Sequence, residues 1–127
     1  MVEIESNFRT GKDMHIHYLE IVTPEVNATC AAYEQLQDVT FGEADPGLGN
    51  ARTATLSNGG IIGVRAPMHE SEAPVIRPYL LVNDIDAAIA AVVNAGGEIA
   101  HPPLEIPGYG KFAIYFQGGI QHGLWQA

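Results

Sequence analysis

Several side chains able to do chemistry recur at every second position of apolar runs. Tyr18 and Glu20 alternate with Leu19 and Ile21, Arg77 and Tyr79 flank Pro78, Arg65 follows Gly63 by two, and Gln121 and Trp125 bracket Gly123. In extended chain such pairs share a face. Leu19 and Ile21 mark the face that meets a helix, so Tyr18 and Glu20 look into the space between sheets. Together the seven residues describe a cavity with one carboxylate, two guanidinium groups, aromatic walls and an amide, and Gly63 and Gly123 leave room near its floor. An Arg77–Glu20 pair could hold a polar ligand while Tyr18, Tyr79 and Trp125 supply flat apolar contact. The same residues also fit a purely structural role, since a lone buried charge is expensive and aromatic rings fill cores. Glu20 could serve as a general base only if burial raised its pKa, and an adjacent Arg pushes the other way.

The histidines carry a separate possibility, metal ligation. His15 and His17 share a strand face opposite Tyr18, as flank or interface residues, and a one-residue bulge would rotate His17 inward. His122 faces outward beside Leu124, while His69 in a connector and His101 in a loop before Pro102-Pro103 are expected in solvent. No His-Glu-x-x-His pattern and no phosphate-binding glycine loop occurs. Gly108-Tyr109-Gly110 reads as a mobile loop edge shaping the cavity mouth.

These residues need elements to position them. The segment 14–22 is extended, and Thr23-Pro24-Glu25 has the chemistry of a helix start. Val26, Cys30, Tyr33 and Leu36 then recur at helical spacing, ending near Gln37 or Asp38. A short extended piece at Val39-Thr40-Phe41 leads to a loop over 42–50 dense in Gly, Pro and acids. Strands over 52–56 and 61–66 enclose a hairpin turn signalled by Asn58-Gly59. After a connector over 67–74 the pattern repeats: a strand over 75–82, a helix capped by Asp84 with Ala88, Ile89, Val92 and Val93 as its stripe, and a stop at Gly96 or Gly97. A short strand over 98–102, a loop over 103–110, and strands over 111–116 and 120–126 follow, the last two joined at Gly118-Gly119. Residues 1–13 read as a loose arm, with a turn at Thr10-Gly11-Lys12-Asp13.

The repetition is internal. Tyr18-Leu19-Glu20-Ile21-Val22 aligns with Arg77-Pro78-Tyr79-Leu80-Leu81, and Gly59 and Gly63 align with Gly119 and Gly123. The expected architecture is α+β: two βαβββ modules, about 14–66 and 75–126, forming one cup-shaped mixed-sheet cavity within a single domain spanning 1–127.

The bulk numbers narrow the partners. The chain has 127 residues, enough for a real core, with 6 basic against 15 acidic residues and a formal charge of −9. That balance argues against nucleic acid and anionic membrane. No apolar run is long enough to span a bilayer, and Met1-Val2-Glu3-Ile4-Glu5 has no signal-peptide pattern, which favours the cytoplasm. Cys30 is the lone cysteine and sits among alanines, a buried structural thiol.

Tyr79-Leu80-Leu81-Val82-Asn83-Asp84-Ile85-Asp86-Ala87-Ala88, Ala95-Gly96-Gly97-Glu98, Glu105-Ile106-Pro107-Gly108-Tyr109-Gly110-Lys111-Phe112-Ala113 and Gly123-Leu124-Trp125-Gln126 resemble the vicinal oxygen chelate superfamily. Its members include glyoxalase I, extradiol dioxygenases and bleomycin-resistance proteins, and the likeness is greatest to small glyoxalase-like proteins. The resemblance implies paired modules around one cavity and often a homodimer. It also implies a divalent metal held by His, Glu or Gln on the first and last strands of each module. The matching positions here are Tyr18, Gly63, Arg77 and Gly123. Glycine offers no donor, and Arg77 sets a fixed positive charge where a cation would sit. No metal or other cofactor is therefore expected. The leading expectation is a metal-independent protein binding a small organic molecule, with a cationic one suited to the acidic surface. A metal-dependent lyase or dioxygenase with displaced ligands, and a structural or partner-binding protein without ligand, remain alternatives.

Overall fold

In the computed structural model, which describes residues 14–127, the chain runs through two successive βαβββ units. The first comprises β1 (Ile16–Val22), α1 (Val26–Gln37), β2 (Ala44–Asp45), β3 (Ala51–Thr55) and β4 (Ile61–Arg65). The second comprises β5 (Val75–Leu81), α2 (Ile85–Asn94), β6 (Glu98–Ile106), β7 (Gly110–Gln117) and β8 (Ile120–Gln126). The turn expected at Thr10-Gly11-Lys12-Asp13 lies outside the described residues.

All the strands join one eight-stranded sheet in the order β2-β3-β4-β1-β5-β8-β7-β6. The units meet edge to edge through their first strands, β1 running antiparallel to β5, with Tyr18 opposite Tyr79 and Glu20 opposite Arg77. Each first strand also pairs in parallel with the last strand of its own unit, β1 with β4 and β5 with β8. The cup therefore has one continuous wall, and the opposite-charge pair Glu20–Arg77 lies at its central seam.

Alternation along β1 separates two cores. Ile21 packs with Cys30 of α1, Phe41, Ala54, Ile62 and Val64 on the outer face, and α2 buries Ile85 against Ala113 and Leu124 on the matching face of the second unit. Tyr18, Leu48, Ala51, Tyr79 and Trp125 pack together on the inner face.

The structure corrects several local expectations. Leu36 is 75% exposed, because it lies about 120° around the helix from Cys30 at 3.6 residues per turn. Val93 is 54% exposed, and Ile85 takes its place in the buried stripe of α2. No strand forms at Val39-Thr40-Phe41. Phe41 is buried and its amide donates to Glu34 Oε2 at 2.9 Å, while the strand comes later, at β2. The expected loop over 103–110 is mostly strand. β6 continues through Pro102 and Pro103 to Ile106 because it is the last strand of the sheet, where a missing N–H costs little, and register shifts at Ile99/His101 and His101/Leu104 absorb the irregularity.

Candidate functional site

The site is built on the seam. Glu20 Oε1 accepts from Arg77 Nη2 at 2.7 Å, Arg77 Nε at 3.1 Å and the Tyr79 hydroxyl at 2.8 Å. Its other oxygen, Oε2, accepts from Arg65 Nε at 2.7 Å. Arg65 turns its far edge to Glu72, donating to the two carboxylate oxygens at 3.0 and 2.7 Å, and Glu72 in turn accepts from the Met68 amide at 2.7 Å. Arg77 Nη1 donates to Gln121 Oε1. Two carboxylates thus balance two guanidinium groups, and Glu20, Arg65 and Arg77 are buried.

The electrostatics follow from this bonding. Burial pushes the Glu20 carboxyl up, but the Arg77 charge and the hydrogen bonds from Arg65 and Tyr79 outweigh it and leave the pKa below the usual carboxylate value. An ionised Glu20 with both oxygens already engaged is poorly placed to take a proton from a substrate. The bidentate Arg65 holds Glu72 down to about 2. Burial first, then the Glu20 charge, raise the Tyr18 and Tyr79 hydroxyls, so both stay protonated.

Around this polar end lies a cavity of about 620 Å³. Tyr18, Glu20, Arg65, Arg77, Tyr79, Gln121 and Trp125 all lie on its wall. Trp125 contacts Tyr18 with ring centroids 5.3 Å apart and meets Tyr79 edge to face at 5.8 Å. Phe112, Ile106 and Leu48 extend the apolar surface. The tip between β6 and β7 reaches across to the first unit: the Tyr109 hydroxyl donates to Asp45 Oδ2, and the Tyr109 carbonyl accepts from Trp125 Nε1 at 3.2 Å.

The glycines at the last strands do more than leave room. A Cβ on Gly63 would stand 1.8 Å from the Tyr18 hydroxyl, and one on Gly123 would stand 2.3 Å from the Tyr79 ring. A tyrosine from the neighbouring first strand thus occupies the space beside each glycine, the close approach for which a strand interior tolerates Gly. A divalent metal does not fit here. Of the four matching positions, two lack side chains and are filled by phenols, one carries a guanidinium, and the nearby carboxylate is committed to two arginines. Among the described residues no three His, Cys, Asp or Glu side chains converge elsewhere into a metal-holding group.

Among the wall residues that sequence reasoning missed, two carry polar chemistry, His101 and Glu72. His101 lines the cavity and stacks on Phe112 at 4.9 Å, where solvent had been expected. The Pro102-Pro103 pair suggested a loop, and only the edge position of β6 keeps His101 in a strand. Glu72 belongs to a connector with no periodicity to read. The bulge that would turn His17 is present between Ile16 and Tyr18, and it sets the His17 ring 5.6 Å from Trp125. Burial and then His15 lower the His17 pKa. His122 stacks on Tyr115 at 5.0 Å, and His69 is exposed and hydrogen-bonded to Ser71.

No family model matches the chain. It is 33% identical over 128 residues to the provisionally named glyoxylase CFP32 of Mycobacterium tuberculosis (strain CDC 1551 / Oshkosh), a match covering 96% of this chain and 48% of that protein. It is 25% identical over 127 residues to the anthracycline biosynthesis protein DnrV of Streptomyces peucetius, covering 86% of this chain and 46% of the relative. The chain thus spans about half the length of the curated relatives it matches. Among solved structures, methylmalonyl-CoA epimerase from Mycobacterium tuberculosis superposes with a TM-score of 0.66 at 16% identity, over 87% of this chain and 85% of that one. A hypothetical protein, BH1468 from Bacillus halodurans C-125, reaches 0.73 at 14% identity, over 91% and 95% of the two chains. Relatives and structural neighbours of these kinds all fall in the vicinal oxygen chelate (glyoxalase-like) superfamily, and this chain shares their paired βαβββ units around one cavity.

Proposed function

We propose that this chain is a metal-independent member of its superfamily that binds a small organic molecule in the cavity between its two units. The observation that carries the reading is the way each metal-ligand position is used. Tyr18 and Tyr79 fill the space beside Gly63 and Gly123, and Arg77 neutralises Glu20, while a cavity of about 620 Å³ stays open beside them. That volume is of the size that takes small ligands. Its wall offers a flat apolar body formed by Trp125, Phe112 and the tyrosines, and a polar end with no net charge among Glu20, Arg65, Arg77 and Glu72. The charge balance favours an uncharged or weakly polar ligand over a strongly cationic one. The name of the Streptomyces relative, which places that protein in the biosynthesis of a small molecule, is in keeping with such a role.

Trp125 is the sole tryptophan and lines the cavity, so its fluorescence reports occupancy directly. Protein stripped with chelator and verified metal-free should bind members of a library of flat, uncharged organic molecules with a change in that emission. Adding Zn²⁺, Mn²⁺, Fe²⁺ or Ni²⁺ should leave the affinity unaltered. Binding that appears only after a metal is restored would reject metal independence, and a library without a single binder would reject the ligand-binding role.

The proposal extends to assembly as a homodimer. The outer face of the β1–β5 seam carries Ile16 and Ile76, 48% and 60% exposed. A second copy meeting this face would bury them.

A further inference from the structure

Tyr18 is only 4% exposed and lines the cavity, yet its hydroxyl makes no hydrogen bond among the described residues. The Tyr79, Arg77 and Arg65 side chains on the same wall are engaged. The Tyr79 hydroxyl donates to Glu20, Arg77 donates to Glu20 and Gln121, and Arg65 donates to Glu20 and Glu72. The Tyr18 oxygen rests over the bare Cα of Gly63, so no side chain of β4 at that position competes for it. A buried hydroxyl left without a partner is costly and uncommon in folded proteins, and one on a cavity wall has a ligand or a water as its available partner.

The surroundings select what that partner is. The hydroxyl is held protonated by burial and by the charge of Glu20, so it acts as a donor. Glu20 and Asp45 both bear on it electrostatically with negative charge, which disfavours an anionic acceptor, and Arg65, the nearest compensating cation, is already shared between Glu20 and Glu72. The ring of Trp125 lies beside Tyr18 at 5.3 Å with a tilt of 34°, a surface for a flat ring system.

The geometry points to Tyr18 as the residue that orients the ligand, its hydroxyl donating a hydrogen bond to an uncharged carbonyl oxygen on a flat ring system set against Trp125. This inference rests on the cavity-binding reading and narrows the ligand to aryl ketones, quinones and related neutral carbonyl compounds.

The test uses the full chain, as wild type and as Tyr18→Phe, with two probes that share one bicyclic frame, 1-tetralone and tetralin. Only the first has a carbonyl. Trp125 emission gives both affinities, and thermal unfolding gives stability. Because the hydroxyl has no protein partner among the described residues, Tyr18→Phe should unfold at or above the wild-type temperature. The ratio of tetralone to tetralin affinity should fall roughly 3- to 10-fold in the variant, the worth of one hydrogen bond. A second measurement is spectroscopic: the isotope-edited infrared band of the tetralone carbonyl should move to lower frequency on binding to wild type, and in Tyr18→Phe the shift should vanish. An unchanged affinity ratio, or a carbonyl band that does not move, overturns the role of Tyr18 while leaving the cavity as a binding site. Failure of both probes to bind wild type overturns this inference, and a library of flat, uncharged molecules without a single binder overturns the cavity-binding reading as well.

Discussion

At the scale of single residues, Glu20 holds the seam together. Among the described residues it is the only carboxylate bonded to Arg77, and it shares Arg65 with Glu72. Glu20→Gln would keep the shape but leave buried guanidinium charge uncompensated, and urea unfolding should show a loss of about 3–5 kcal/mol. The same groups set the acid limit. Glu20 and Glu72 have folded-state pKa values below their ordinary ones, so the stability they confer is complete above the unfolded carboxylate value. It is lost as pH falls from there toward about 2, the value for Glu72. Melting temperature should therefore decline through that window, and in Glu72→Gln part of the decline should disappear; a flat profile would contradict the pairing. Gly63→Ala tests the filled ligand position. Its Cβ would stand 1.8 Å from the Tyr18 hydroxyl, so a loss of about 1–3 kcal/mol is expected by denaturant titration, partly recovered in combination with Tyr18→Phe.

At the scale of elements, the two helices show how far local sequence reaches. Asp84 was recognisable as a cap, and its side chain accepts from the amides of Asp86 and Ala87 at 3.1 Å. Asp84→Ala should cost about 1 kcal/mol, measurable as a lowered midpoint in urea. At the start of α1 the cap position is Glu25, which makes no side-chain bond, while Thr23 accepts from the Glu25 amide at 3.1 Å before the first turn. The chain signals were real, but the helix begins two residues later than Thr23-Pro24-Glu25 alone implies, with Glu25 at the cap and Val26 first in the helix. Leu36 and Val93 looked like core because apolar character and approximate spacing cannot resolve a rotation of about 100°. The strand β6 was hidden by Pro102-Pro103, whose tolerance depends on lying at the edge of the sheet, a property of the assembled sheet and not of the segment.

At the scale of the whole molecule, the exposed pair Ile16 and Ile76 on the outer seam leads to the expectation of a dimer in solution. Sedimentation equilibrium should return twice the chain mass, and Ile76→Glu should return the monomer with the affinity for cavity ligands unchanged, since Ile76 faces away from Glu20 and Tyr79. A concentration-independent monomer mass for wild type would rule the interface out. Among the described residues no helix is long and apolar enough to cross a membrane. Residue order alone carries the two-unit plan, the periods of its strands and helices, and the alternation that puts Tyr18, Glu20, Arg77 and Tyr79 on the inner face, because side-chain direction in extended chain depends only on position parity. It also determined that glycine and arginine stand at the positions matching metal ligands. The folded arrangement establishes that the units share one continuous sheet through β1 and β5, and that Glu72 arrives from a connector to complete the charge balance. It likewise decided that His101 turns toward the cavity and that the Tyr18 hydroxyl lies over Gly63 without a partner. Those outcomes depend on which distant segments meet, and pairing between residues far apart in the chain leaves no periodicity for a local pattern to carry.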